Sequence, residues 1–220
     1  AQLINSGALP ADTRLEDELS MAARLHVSRP TARQALQRLV DRGLLTRRRG
    51  VGTIVSPRHV HRPMELTSLM RDLVNAGHKV HTTIQRYEAR PANAQEADVL
   101  KITEGTLIVN IERTRFANDE PIAVLTNYIP TDIAPTMQEL ESGSLYDLMR
   151  ERGVTLASAR QVIGARSATT KEAKLLSEHR GAALLTTQRT TYDPSGRIVE
   201  YGDHIYRASR YSFEASLFAQ

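Results

Sequence analysis

Val27–Leu45 reads VSRPTARQALQRLVDRGLL. Its apolar residues Ala32, Ala35, Leu36, Leu39 and Val40 recur at i, i+3, i+4, i+7 and i+8, the stripe of one helix face. Ser28 suits the N-cap, and Pro30 falls in the first turn, where a missing N–H costs nothing. Gly43 suits the left-handed position after a helix end. The stretch predicts a helix over residues 29–42. Upstream, Asp17 can cap a second short helix through Leu25, with Met21, Ala22 and Leu25 on its buried side. Only His26–Ser28 separate the two helices, which is the helix-turn-helix pattern. The face away from the stripe carries Thr31, Arg33, Gln34, Gln37 and Arg38. Arginine and glutamine can each make paired hydrogen bonds to a base edge in the major groove.

Beyond Gly43 the chain reads LLTRRRGVGTIVS. Leu44–Arg48 and Thr53–Ser56 are predicted strands, joined by Arg49, Gly50, Val51 and Gly52, with glycines free to take positive φ. This is a β-wing tipped by arginines, a group suited to phosphates or a narrow minor groove. Charge follows the same division. Residues 1–58 hold ten basic residues, all arginine, against five acidic ones, whereas the rest of the chain holds 19 basic and 20 acidic. The positive excess is confined to the first segment and points to a polyanion partner there, although a solvated basic face has the same composition.

With 220 residues, 40% of them hydrophobic, the chain can form two modest domains with real cores. It has no cysteine, which excludes disulfide staples and cysteine-based zinc sites and fits a reducing cytoplasm. No apolar run approaches the roughly 18 residues of a membrane span, so no membrane partner is expected. The opening Ala1–Ile4 resembles the interior of an element, so the natural start is expected upstream. The polar, proline-bounded stretch Ser56–Pro63 reads as a short linker. The domains are therefore expected at 1–58 and 66–220, with a linker over 59–65. His59 and His61, like His78 and His81, lack acidic or sulfur companions, so no metal site and no cofactor is expected.

The second segment alternates helices, expected at 67–76, 94–101, 144–152 and 170–177, with strands near 80–90, 106–116, 121–129, 157–167, 182–192, 197–207 and 210–215. Hairpin signals at Ala117–Glu120 and Asp193–Gly196 argue for an antiparallel sheet, hence an α+β domain. An offset of 76 residues aligns two stretches. It matches Ala89-Arg90 to Ala165-Arg166, Glu96-Ala97 to Glu172-Ala173, Leu100 to Leu176, Gly105 to Gly181, Arg113-Thr114 to Arg189-Thr190 and Ile122 to Ile198. Each copy reads strand, helix, strand, hairpin, strand, which would place a pocket near a pseudo-symmetry axis.

Arg113 and Arg115 share one strand face. Were that face interior, the pair would need anionic partners, and an open cavity accepting an anion would supply them. An outer face with two solvated arginines fits the same spacing. The predicted helix starts at Thr67–Ser68 and at Ser144 offer either simple caps or anion ligands. Glu200 and Tyr206 share a face of the last long strand, able to hydrogen-bond a ligand or solvent.

RLEDELSMAARLHVSR, PTARQALQRLVDRGLL and RRRGVGT, within residues 4–55, resemble the winged helix of the GntR family of regulators. That likeness implies DNA contacts by Ser28, Arg29, Thr31 and Arg33, beside the exposed Gln34, and, at the wing, by Arg49, Gly50 and Gly52. The family usually has Leu-Pro-Ser-Glu-Arg where this chain has Leu15-Glu16-Asp17-Glu18-Leu19, so an arginine often used on DNA is replaced by Leu19. LTSLMRDLVNAG, IERTRFANDEPIAVLTNYIP, GSLYDLMRERG and RIVEYGDHIYRASRYSF, within 66–215, resemble the UTRA effector domain of the HutC subfamily, which shares its fold with chorismate lyase. This implies an antiparallel sheet with flanking helices. It also implies that Ser68, Leu69 and Met70, together with Arg113, Arg115 and Ser144, hold an acidic group, with Glu200 and Tyr206 on the remainder of the ligand. Leu125 replaces a glutamate common in relatives, which suggests a less sugar-like ligand.

The expectation is a cytoplasmic, ligand-responsive repressor that binds double-stranded operator DNA as a homodimer and is released by a small anionic metabolite. An enzyme on a lyase-like fold is the alternative. Against it stands the lack of a nucleophile-base-orienter set or a phosphate-cradling glycine loop.

Overall fold

The computed structural model describes residues 2–5, 8–10, 13–41, 44–48, 50–55, 60–63 and 65–215. Two compact units divide the chain after Val60. In the first, α1 (Gln2–Asn5), α2 (Glu18–Arg24) and α3 (Arg29–Asp41) precede a hairpin of β1 (Leu45–Arg48) and β2 (Gly52–Val55). Asp17 caps α2 by accepting from the Leu19 and Ser20 N–H groups at 2.9 and 3.0 Å. Ala32 and Leu36 of α3 are buried, and Leu36 joins Ile4, Leu45 and Val55 in one core against which Met21, Leu39 and Val40 pack. Two expected core residues differ. Ala35 is exposed, and Leu25 is 51% exposed because α2 ends at Arg24 and turns away through His26 at φ 52°. A bridge between Arg14 and Ile54, with Leu15 N–H donating to Thr53 and Val55 N–H to Thr13, adds a short third strand to the wing. Gly43, expected to end α3, lies outside the described residues.

The second unit contains a six-stranded antiparallel sheet in the order β4-β5-β6-β9-β8-β7. Its strands are β4 (Val80–Pro91), β5 (Leu107–Ala117), β6 (Glu120–Pro130), β7 (Ser158–Ser167), β8 (Ala183–Tyr192) and β9 (Ile198–Arg207). Its helices are α4 (Leu69–Asn75), α5 (Ala94–Leu100), α6 (Met137–Ser142), α7 (Leu145–Glu151) and α8 (Thr170–Leu175). The β5–β6 turn has Asn118 and Asp119 at φ 52° and 66°, the tight hairpin that its sequence announces. One sheet face packs Val109, Ile111 and Ile129 against Leu140, Leu145, Tyr146 and Met149 of α6 and α7. The opposite face packs Ile108 and Ile198 against Ala97 and Leu100 of α5, and Leu184 and Ile205 against Ala173 of α8.

Two elements depart from the sequence reading. Val60–Pro63, inside the expected linker, forms strand β3 and pairs with β10 (Tyr211–Glu214). A polar local sequence cannot reveal a strand whose partner lies so far along the chain. Helix α6 was not expected, although Thr136 and Glu139 form a reciprocal capping box at its start.

The strand order is symmetric about the β6–β9 seam, as the 76-residue repeat requires. The equivalence reaches individual atoms. Arg90 donates to Glu96 Oε2 and Oε1 at 2.7 and 2.6 Å, and Arg166 donates to Glu172 Oε2 and Oε1 at 2.7 and 2.6 Å. Both glutamates close capping boxes, on Asn93 and Thr169.

Candidate effector cavity and DNA-reading face

The face of the sheet that carries α6 and α7 also holds a partly open cavity near the β6–β9 seam. Arg113 and Arg115 of β5, Leu125 and Asn127 of β6, Arg189 of β8, and His204 and Tyr206 of β9 line it. Thr67, Ser68, Leu69 and Met70 at the start of α4, and Leu145 and Tyr146 at the start of α7, complete it. Arg113 and Arg115 are each only 2% exposed, so the solvated-face reading of this pair fails. Arg113 donates one hydrogen bond, to Asn127 Oδ1 at 2.7 Å, while its Nε and Nη1 have no partner. Arg115 donates to Thr82 Oγ1, and its Nε is likewise unpartnered. Burial pushes Arg113 down to about 10. Burial, and then the neighbouring Arg113 charge, pushes Arg115 down to about 9. Guanidinium keeps its proton at physiological pH, so the burial cost persists as free energy that an anion can relieve.

The Glu200 carboxylate offsets part of the Arg113 charge. Glu200 is fully buried and accepts from Asn127 Nδ2 at 2.6 Å, Thr191 Oγ1 at 2.7 Å and Tyr146 Oη at 3.2 Å. Burial raises its pKa, and these donors together with Arg189 oppose the rise. Tyr146 is pushed up to about 12, first by burial and then by the Glu200 charge. Gly202 sits between Glu200 and His204. A Cβ there would come within 2.6 Å of both Glu200 Oε1 and His204 Nε2.

In the first unit, Ser28 accepts from the Thr31 N–H at 3.3 Å and caps α3. Arg29, Thr31, Arg33 and Gln34 are exposed, and the two arginines make no ion pair among the described residues. Arg47 of β1 reaches Glu18 at 3.4 Å, which ties the wing to α2. Gly50 and Gly52 take φ of 79° and 107°, and the Arg14 guanidinium lies against Gly52. Arg49 lies outside the described residues.

Residues 1–55 match the family described as bacterial regulatory proteins, gntR family, and residues 75–212 match the UTRA domain. The chain is 34% identical over 213 residues to the HTH-type transcriptional repressor NagR of Bacillus subtilis, covering 96% of this chain and 88% of that protein. The chain belongs to the GntR family. Within it, this regulator is of the HutC type, with a DNA-binding winged helix and a UTRA domain. It is 26% identical to the histidine utilization repressor of Klebsiella aerogenes, over 97% of this chain and 87% of that one. Its fold matches PhnF from Mycobacterium smegmatis with a TM-score of 0.87 at 24% identity, covering 100% and 97% of the two chains. These relatives are transcription regulators, and this GntR protein is a regulator rather than an enzyme.

Of the residues expected at the effector site of this regulator, the fold brings Ser68, Leu69, Met70, Arg113, Arg115 and Tyr206 to the cavity wall. Ser144 is buried off the wall, and its hydroxyl has no partner. Glu200 also does not line the cavity. Its carboxylate is turned into the network below, where three donors hold it. Asn127, Tyr146, Arg189 and His204 were not anticipated. A signal for Arg189 was present, because the repeat superposes it on Arg113. Tyr146 and Asn127 carry no local mark of function, and only packing reveals them.

Proposed function

We propose that this protein is a repressor that binds a near-palindromic operator as a homodimer and is released by a small metabolite bearing a carboxylate or phosphate. The observation that carries this reading is the unpartnered guanidinium N–H groups of Arg113 and Arg115, buried at a cavity wall with Arg189, where Glu200 offsets only part of the charge. An anion would satisfy those donors through forked contacts, and the N–H groups of Leu69 and Met70, ahead of the first in-helix hydrogen bond of α4, supply further donors. A relative named for histidine utilization concerns a carboxylate-bearing compound, which agrees with this chemistry. In the winged helix, Arg29, Thr31, Arg33 and Gln34 would contact DNA from α3, with Ser28 at its cap and Arg49, Gly50 and Gly52 at the wing. One α3 reads one half-site, and two copies supply the second. Acting on DNA, the protein would work in the cytoplasm.

A thermal-shift screen of carboxylated and phosphorylated metabolites tests the reading. The effector should raise the melting temperature by mass action and dissociate a protein–operator complex. Arg113→Ala should lose the shift and keep operator binding, whereas Arg33→Ala should keep the shift and weaken operator binding by at least about tenfold. An effector without acidic groups, bound equally by Arg113→Ala, would refute the anion assignment.

A further inference from the structure

The six-stranded sheet has two edges, and the internal repeat makes each the control for the other. β4 and β7 occupy equivalent places at opposite ends of the sheet. The 76-residue offset sets Arg86 against Val162, Tyr87 against Ile163 and Glu88 against Gly164. β4 carries features that stop an edge from pairing: a register shift between Ile84 and Arg86, the charges of Arg86 and Glu88, and a terminal Pro91. β7 has neither the shift nor a proline, and its two charges, Arg160 and Arg166, flank an uncharged centre. Its register with β8 runs unbroken from Ser158 to Ser167, and Val162 and Ile163 at its centre are 51% and 38% exposed. Its outward N–H and C=O groups have no strand beside them among the described residues.

We propose that β7 is the edge on which two copies of this chain pair antiparallel, joining their sheets across a two-fold axis. The inference rests on the homodimer reading above and adds the surface. Antiparallel self-pairing requires residues of like parity to face each other, so the axis passes through a residue. Centred on Val162, it sets that side chain against the partner's Val162, Gln161 against the partner's Ile163, and Arg160 against the partner's Gly164. β-Branched side chains meet at the centre, and no like charges stand directly opposite. The strand's other charge, Arg166, carries its own counter-ion in Glu172 at 2.6 Å. β7 is thus its own complement, which argues for a second copy over a foreign strand. The edge also adjoins the effector cavity: Gln161 accepts from Arg189 Nε at 2.7 Å, and Arg189 lines that cavity. An anion at Arg189 would therefore act one side chain away from the pairing edge.

The chain has no cysteine, so a single introduced thiol reports directly. Residues opposite each other in an antiparallel pair have Cα atoms about 4.5–5.5 Å apart, within the span of a disulfide. Under mild oxidation the full-length Val162→Cys should form a covalent dimer, and Arg86→Cys on the opposite edge should not. Val162→Lys should raise the dimer dissociation constant in sedimentation by at least about 100-fold, because it buries unpaired like charges at the axis. Should that variant fail to fold, the cysteine pair decides. A dimeric wild type whose Val162→Cys crosslinks no faster than Arg86→Cys would place the interface elsewhere and leave the homodimer reading intact. A wild type that stays monomeric at operator-saturating concentrations would overturn both.

Discussion

Arg113 shows how one buried side chain can be costly to the fold and useful to the function. With one hydrogen bond and two unpartnered nitrogens, it holds a charge away from water that nothing in the chain fully offsets. Replacing such a group with an apolar one of similar length removes that cost. Arg113→Met should therefore raise the urea midpoint of the ligand-free protein, by about 1 kcal/mol or more of stability, while abolishing the melting shift given by the anionic effector. A fall in ligand-free stability would mean that the guanidinium is already compensated. Gly202 is constrained by space and not by backbone conformation, since a Cβ would intrude between Glu200 and His204. Gly202→Ala should cost about 1–3 kcal/mol in urea unfolding and weaken effector binding, because the network beneath the cavity must shift to admit the methyl group.

At the scale of elements, the paired helix starts of the repeat offer an internal comparison. Glu96 and Glu172 each cap a helix and clasp an arginine from the preceding strand. Glu96 is the more buried, with 9% side-chain exposure against 20% for Glu172. A glutamine at either site can still cap but loses the charge-assisted fork. Glu96→Gln should cost about 1.5–3 kcal/mol, and Glu172→Gln less. Arg90 holds the Glu96 carboxyl below the usual range, and Arg166 holds Glu172 down to about 2. Both folded values lie below the unfolded ones, so this stabilisation is complete above the ordinary carboxylate pKa and disappears as pH falls towards about 2. The acid limb of the stability profile should be shallower in the double Gln variant between about pH 5 and 2. Identical limbs in chemical denaturation would show that the forks contribute nothing.

For the molecule as a whole, function divides along the charge. An arginine-only basic excess marks the DNA-binding unit, and a near-neutral remainder carries the cavity. Leu19 is 67% exposed at the start of α2. Leu19→Arg should tighten binding to DNA of any sequence and steepen the logarithmic salt slope by about one. An unchanged slope in salt-titrated binding would place position 19 away from the phosphates.

Periodicity and caps were enough to read α3, the wing, nearly every strand of the sheet and the repeat, because each depends on residues a few positions apart. The pair Arg113 and Arg115 was legible for the same reason, since strand alternation alone puts them on one face. Whether the face carrying that pair is covered was not legible. That depended on α6 and α7 covering one side of the sheet, and the same packing turned Glu200 inward and brought Tyr146, Asn127 and His204 to or beside the cavity. β3 escaped the sequence for a related reason: its hydrogen-bond partner is β10, at the other end of the unit. Local pattern fixes the element, because backbone hydrogen bonds and side-chain periodicity are short-range along the chain. The site is made of side chains distant in sequence, and only folding decides which of them lose their water together.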